Sequence, residues 1–166
     1  MREREPGVLT RGYFRNPAAT DTLYRDGWLQ TGDLASMDDR GFVYFQGRLK
    51  DSLRCRGENV SAWEVEAVLN THPLVLQSAV VGVPSEVGEE DVKAFVKVAD
   101  PEQFTPAELL AWCRDRMARY QVPRYVQLVS EFETTATNRI RKEGLSRSTQ
   151  DCFDRELQPA RYTSER

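Results

Sequence analysis

The apolar positions of this 166-residue chain change rhythm near residue 50. Before that point they are scattered. PGVLTRGYFRNP, residues 6–17, has turn residues and aromatics but no helical or strand period long enough to begin a fold. A short helix is expected from Ala18 to Arg25 after Pro17, ended by Asp26-Gly27. Trp28-Leu29-Gln30-Thr31 then leads into Gly32-Asp33. Asp38-Asp39-Arg40-Gly41 has the chemistry of a hairpin turn, with residues 42–46 as the returning strand. This first third carries too few apolar residues to bury on its own. It reads as the end of a larger domain whose beginning is missing.

GRLKD, residues 47–51, is polar and short, a natural joint. Beyond it the pattern is that of a complete small domain. Residues 53–56 read as a strand and Gly57-Glu58-Asn59 as a turn. Ser61 and Glu64 form a capping box, in which hydroxyl and carboxylate satisfy free amides at a helix start. That helix carries Val65, Val68 and Leu69 on one face and stops near His72-Pro73. Residues 76–83 are apolar enough for a central strand, and 92–98 alternate like a neighbouring one. Thr105 and Glu108 form a second box with Pro106 at the first helical position, and this helix presents Leu109, Leu110, Trp112, Cys113 and Met117 to a core. Residues 125–129 give a further strand. From Asp151 onward the chain is polar and expected to fray. Strands and helices alternating without Rossmann-like glycines predict an α+β fold.

Composition narrows the partners. Forty per cent of the residues are apolar, the formal net charge is −3 and the pI is near 5.4. Nucleic-acid binding needs a concentrated basic excess, so that class is set aside. Arg139, Arg141 and Lys142 are a local basic run that fits a solvated face or a phosphate contact. Cys55, Cys113 and Cys152 make an odd count with no metal-like or redox spacing, which fits a reduced cytoplasmic setting. Cys113 falls in a helical apolar pattern and reads as core; Cys55 fits a buried or a surface position. With His72 as the only histidine and no CxxC, no metal site is expected. His72, before Pro73 and just after a helix, suits a capping or C-terminal charge role. No run approaches the ~20 apolar residues of a membrane span, and MREREP is too charged for a signal peptide.

Three places suggest chemistry. In GWLQTGDL, a glycine before Asp33 lets the backbone turn tightly and present a carboxylate. Such a carboxylate can grip a vicinal diol such as a ribose; the same pair also fits a plain turn. Arg48 follows a glycine at a strand end, where its planar fork could reach an oxygen-rich ligand. Gly57 sits where a narrow ligand could pass the backbone. Arg54 and Arg56 alternate on a strand and so face one side. Taken singly, these arginines read as surface charges.

Taken in order, GYFRNPAATDTLYRDGWLQTGDL, GFVYFQGRLKDSLRCRGENVSAWEVEAVLNTHP and SAVVGVPSEVGEEDVKAFV resemble the adenylate-forming enzymes, the superfamily of acyl-CoA synthetases, luciferases and peptide-synthetase adenylation domains. The likeness covers residues 12–145. RGENVSAWEVE looks most like carnitine or crotonobetaine CoA ligases. The resemblance implies an ATP-dependent acid–thiol ligase: a carboxylic acid attacks the α-phosphate of ATP, with Mg²⁺, to give an acyl-adenylate, and the thiol of CoA then displaces AMP. A small C-terminal domain changes pose between the two steps. Residues 1–46 would be a β-rich remnant of the large ATP- and acyl-binding domain and 47–51 the hinge. Residues 52–150 would be the small mobile domain, a short mixed sheet flanked by helices, and 151–166 a disordered tail. Asp33 and Arg48 would contact the ribose of ATP or AMP. Lys50 matches the hinge position, and Gly57, Glu58 and Asn59 would line the pantetheine path of CoA. Glu64 and Glu66 fit the family's helix pattern as cap and surface.

The family ends with P-K-T-x-T-x-K-[VI]-x-[KR], whose lysine after the threonines stabilises charge during adenylation. Here Thr135–Lys142 reads TATNRIRK, with Arg139 at the lysine position and Glu133 in place of the proline. Arginine keeps the charge but not the compact ammonium, so weakened adenylation with less affected thioester formation is expected. The phosphate loop, adenine pocket and acyl pocket belong to the large N-terminal domain, which this sequence lacks, so the chain alone is expected to be inactive. A stand-alone lid-like module that binds or regulates a partner is the alternative. The residues that would define the acid substrate are absent.

Overall fold

The computed structural model describes residues 1–3, 5–86 and 88–157. The first elements are small. Asn16 caps helix α1 (Pro17–Asp21) by accepting from the Ala19 amide at 3.1 Å. The helix stops four residues short of the expected Arg25. Tyr24–Arg25 is instead strand β1, paired with β2 (Trp28–Leu29) across Asp26-Gly27. Both turn residues have positive φ, 52° and 77°, the conformation a two-residue hairpin loop needs and Asp-Gly supplies. Strands β3 (Asp33–Met37) and β4 (Val43–Arg48) form the second hairpin. Its turn is the expected one: Asp38 N donates to Phe42 O at 3.0 Å and Gly41 N to Asp38 O at 2.9 Å.

The small domain starts with a third hairpin, β5 (Ser52–Cys55) and β6 (Glu58–Ser61), which runs into helix α2 (Ala62–Leu69). Ser61 accepts from the Glu64 amide, the hydroxyl half of the expected box, while Glu64 Oε2 accepts from Gln121 Nε2 at 3.1 Å. A four-stranded sheet follows, in the order β10–β9–β8–β7. It contains β7 (Val75–Pro84), β8 (Glu90–Val98), β9 (Tyr125–Leu128) and β10 (Phe153–Asp154), with helix α3 (Pro106–Arg114) between β8 and β9. Only β8–β9 is parallel, so the sheet is mixed. Thr105 caps α3 by accepting from the Glu108 amide.

Alternation along β8 sorts the sheet into two layers. Val92, Ala94 and Val96 face the cluster formed with α2, α3 and the β5–β6 hairpin, including Val60, Val65, Leu69, Leu109 and Cys113. The opposite face holds Ala79, Val81, Phe95 and Tyr125. Its cover is not a helix but the C-terminal segment, through Phe132, Ile140 and Leu145. Lys93 points into this second layer and is fully buried. Its ammonium donates to Ser146 O at 3.2 Å and Ser148 O at 2.6 Å, and lies 4.4 Å from the Phe95 ring centre. A buried cation thus ties the segment to the sheet, with its donors satisfied.

Two expectations change. β7, expected at the centre, is the sheet edge. Its apolar run reflects cover on both faces rather than a central position: Val80 joins one cluster, and Ala79, Val81 and Val83 the other. Its outward amide at Val80 is not left open, since Glu66 Oε1 accepts from it at 2.6 Å. The segment expected to fray from residue 151 instead enters the sheet, Phe153 opposite Val126 and Asp154 opposite Tyr125. Arg124 holds it there, 2.9 Å from Asp91 and 3.4 Å from Asp154. The rest of the expected tail, 158–166, lies outside the described residues.

Candidate functional site

Asp33 opens β3 and Arg48 closes β4, and the register sets them opposite each other. Arg48 Nη1 lies 2.9 Å from Asp33 Oδ1 and donates to Thr31 O at 2.9 Å. The carboxylate is thereby oriented at the hairpin end while remaining open to solvent on its other side. Arg48 follows Gly47, whose φ of 132° and tight surroundings require glycine: an added Cβ would stand 2.9 Å from Ser61 Oγ. That close approach docks the hairpin end on the start of α2. Ser61 Oγ donates to Gln46 O at 2.7 Å, and the Phe45 and Trp63 rings meet edge to face at 6.0 Å.

The segment expected to be a joint contains a 3₁₀ turn, Leu49–Asp51, which faces a second one, Lys142–Gly144. Two ion pairs cross between them, Lys50–Glu143 at 3.2 Å and Lys142–Asp51 at 3.8 Å. Lys142 also lies 2.7 Å from Glu66 Oε1. Glu66, expected on the surface, is mostly buried, with its side chain 15% exposed. Burial pushes its carboxyl above the ordinary range, against the pull of Lys142.

Arg139 stands at the end of a tight loop. Thr135 N donates to Arg139 O at 2.8 Å, and Thr135 Oγ1 accepts from Arg139 N at 3.2 Å. Asn138 turns the loop with φ 58°, a left-handed position that asparagine tolerates well. Arg139 is exposed, and its guanidinium has no ion-pair partner among the described residues. Between the hairpin end and this loop lies a cleft of about 430 Å³. Arg48, Arg139, Lys142, Glu66 and Trp63 all line it. Two arginines from opposite ends of the sequence thus face one space, one already holding a carboxylate and one free.

Gly57, Glu58 and Asn59 do not line that cleft. The expected three-residue turn is a two-residue one, Arg56-Gly57, with φ 53° and 83°. Glu58 and Asn59 already belong to β6, opposite Cys55 and Arg54. Gly57 N donates to Glu89 at 2.7 Å, and Asn59 accepts from Arg54 at 3.0 Å. The alternation expected of Arg54 and Arg56 breaks at the turn: Arg56 pairs with Glu156 at 2.6 Å, Arg54 with Glu89 at 3.8 Å.

The remaining titratable candidates have structural roles. His72 accepts from the Leu74 amide and packs edge-on against Trp112 and Phe104. Burial pushes its imidazole below the ordinary value, with Glu108 opposing. Cys55 and Cys113 are both buried, and burial pushes the Cys113 thiol up to about 12, which leaves no thiolate near neutral pH. Among the described residues, no group of three or more His, Cys, Asp or Glu is placed to hold a metal ion. No helix among them is long and apolar enough to cross a membrane.

Residues 64–139, from the first turn of α2 to the free arginine of the cleft, match the AMP-binding enzyme C-terminal domain. Over those residues the chain is similar to the C-terminal domain of adenylate-forming enzymes. It is 43% identical over 142 residues to a long-chain-fatty-acid–CoA ligase of Yersinia pestis, covering 86% of this chain and 25% of that protein. It is 37% identical to the crotonobetaine/carnitine–CoA ligase of Proteus mirabilis (strain HI4320), over 85% of this chain and 28% of the relative. The O-succinylbenzoate coenzyme A synthetase of Bacillus subtilis, solved with ATP and magnesium ion, superposes with a TM-score of 0.75 at 30% identity, covering 82% of this chain and 28% of that one. The chain therefore spans about a quarter of the length of these relatives.

Sequence reasoning singled out Asp33, Arg48, Lys50 and Arg139, of which Arg48 and Arg139 line the cleft. It missed Asp51, Glu66 and Lys142 as parts of the same cleft. The available signal for Glu66 was its position one turn after the cap, beside Val65 and Leu69, where a carboxylate borders the buried face. For Lys142 the signal was the basic run 139–142, but not its partners, which lie 76 and 91 residues away in the chain.

Proposed function

We propose that this chain is the C-terminal part of an ATP-dependent acyl-CoA synthetase, which activates a carboxylic acid as its adenylate and passes the acyl group to CoA. The observation that carries the reading is the cleft shared by Arg48 and Arg139. Arg48, at one end, holds the neighbouring carboxylate of Asp33, which is suited to accept from both hydroxyls of a ribose. The other end offers a positive charge, Arg139, with no ion-pair partner among the described residues. A nucleoside monophosphate ester presents its diol and its phosphate at just such a separation of roles, sugar toward the carboxylate and phosphate oxygens toward the cation. Arg139 would stabilise negative charge as it develops on the α-phosphate and the attacking carboxylate.

The Leu49–Asp51 turn serves as the hinge, with residues 1–46 belonging to the large domain and 52–157 to the mobile one. Gly57, with Glu58 and Asn59 beside it, borders the path of the pantetheine arm when the domain turns. Mg²⁺ accompanies ATP in this reaction and is held by the part of the enzyme that carries the phosphate loop. CoA ligases of fatty and related acids set the substrate class, and the cytoplasm is the expected site of action.

A chimera tests the reading. This chain would replace the corresponding quarter of the Yersinia pestis ligase, and ATP–pyrophosphate exchange and acyl-CoA formation would both be followed. The expected result is measurable exchange that rises on Arg139→Lys, by as much as ~10²-fold if the guanidinium is misplaced by an ångström. Conversion of preformed acyl-adenylate should change far less. A folded chimera that gives no exchange with either residue would remove the synthetase reading in favour of a non-catalytic module.

A further inference from the structure

The loop that carries Arg139 is closed on itself, and a short, sheltered ion pair ties its end to a helix. Thr134 bridges Ile140, and Arg141 N donates to Glu133 O at 2.8 Å, so residues 133–141 close like a narrow hairpin. Ile140 and Leu145 pack on the second layer of the sheet and resist lifting. They do not fix position along the sheet, because apolar attraction is non-directional. Lys93 grips the segment only farther on, at Ser146 and Ser148. Lys142, directly after the hairpin, supplies the directional contacts. One, to Asp51 at 3.8 Å, is long and reaches the joint. The other puts its ammonium 2.7 Å from Glu66 Oε1.

Glu66 is the fixed side of that pair. Its helix is anchored through Val65 and Leu69, both fully buried, and its Oε1 also accepts from the Val80 amide of β7 at 2.6 Å. The charged groups around it are Lys142 from the second 3₁₀ turn and Asp51 from the joint, while Arg48 and Arg139 line the same cleft. Stability does not account for this carboxylate. Burial raises it above the ordinary 4.5 even with Lys142 beside it, so ionising it within the fold is unfavourable on balance. A buried ion pair is a poor source of stability, and its best-attested use is to fix one arrangement among several. The arrangement fixed here is the place of the chain just after Arg139.

We propose that Glu66 is a positioning residue for adenylate formation: through Lys142 it sets where Arg139 stands in the cleft. Its chemical role rests on the synthetase reading above. Glu66 and Lys142 both lie beyond the Leu49–Asp51 turn, so their tie does not depend on the angle of the joint, as the Asp51 contact does. Only a short extended stretch separates Arg139 from Lys142, so a slip at the tie is passed directly to the guanidinium. Misplacement of a reacting group by an ångström can cost ~10²-fold in rate. With two poses for two half-reactions, Arg139 serves the first, and acyl transfer from a preformed adenylate is spared.

NMR on the 166-residue chain tests the tie without any activity. As pH falls from about 8 to about 4.5, the Arg139 and Thr135 amide signals should move with the Glu66 carboxyl, and that step should be missing in Glu66→Gln. Thermal melts should show this variant folded, since its amide oxygen still accepts from Val80. In the chimera, Glu66→Gln should lower ATP–pyrophosphate exchange about tenfold and change conversion of preformed acyl-adenylate by no more than about twofold. The parent's exchange should decline toward acid pH with the Glu66 titration, and the variant's should be flatter there. Lys142→Met should give a similar loss, and the double variant no further one. Arg139 signals blind to Glu66, additive losses, or equal impairment of both half-reactions would each overturn the inference. A parent chimera without exchange defeats the synthetase reading, and the NMR titration then decides by itself whether Glu66 positions Arg139.

Discussion

Among the described residues, Leu23 is the one apolar side chain ahead of residue 52 that the fold fully buries; beyond it, two clusters fill both faces of a sheet. The local rules are obeyed equally in both regions. Asp26-Gly27 and Asp38–Gly41 turn their hairpins as surely as Ser61 and Thr105 start their helices. What differs is closure. Strand β4 exposes Val43, Tyr44 and Phe45 in succession, so both faces of the hairpin present apolar groups to solvent. Strands with that composition are normally covered on both sides. The hairpin is therefore shaped for contacts that these residues do not themselves provide, and elements alone do not amount to a domain.

The comparison can be broken from either side. Leu69→Ala, in the fully buried face of α2, should lower stability by about 2–5 kcal/mol in urea titrations, as core truncations do. A loss under 1 kcal/mol would show that the small domain is no better closed than the hairpins. Ser61→Ala probes the seam, since that hydroxyl both caps α2 and donates to Gln46 O. An expected loss of about 0.5–2 kcal/mol follows from the cap. Slower amide exchange at Gln46 than at Tyr44 in the parent, levelled in the variant, would confirm that the seam carries the hairpin end.

A smaller effect concerns charge. Glu66 titrates above the ordinary 4.5 in the folded chain. Between 4.5 and that raised value the folded state binds more protons than the unfolded state, so this group's contribution to stability is full below 4.5 and falls as pH rises. The urea midpoint of the parent, measured against Glu66→Gln between pH 4 and 6.5, should therefore decline relative to the variant as pH increases. A relative rise would mean that Lys142 outweighs burial. The smallest effect belongs to the exposed hairpin: Tyr44→Ser should shift stability by no more than about 0.5 kcal/mol.

Legibility followed range of interaction. Both capping boxes and the Asp38–Gly41 turn were readable because their determinants lie within four residues. The Asp33–Arg48 pairing was not read from the sequence and comes from the register of β3 with β4. The edge position of β7 and the capture of Phe153–Asp154 by β9 depend on strand order, which periodicity does not encode. Glu66 looked like surface because helical spacing could not show that Lys142 and the Val80 amide would close over it. Arg56 looked like an ordinary strand charge until the fold brought residue 156 alongside.

The crossed pairs at the joint have a mechanical consequence. Lys50-Asp51 meets Lys142-Glu143 so that each cation faces an anion. Sliding one turn past the other by a single residue would set lysine against lysine or carboxylate against carboxylate. Attraction at one setting and repulsion at the next act as a detent, which would give the proposed hinge a preferred stop. Lys50 and Glu143 are largely exposed, 71% and 88% by side chain, so such a pair is worth about 0–1 kcal/mol. The stop is therefore shallow: deep enough to index the angle, and weak enough for thermal motion or added salt to release it.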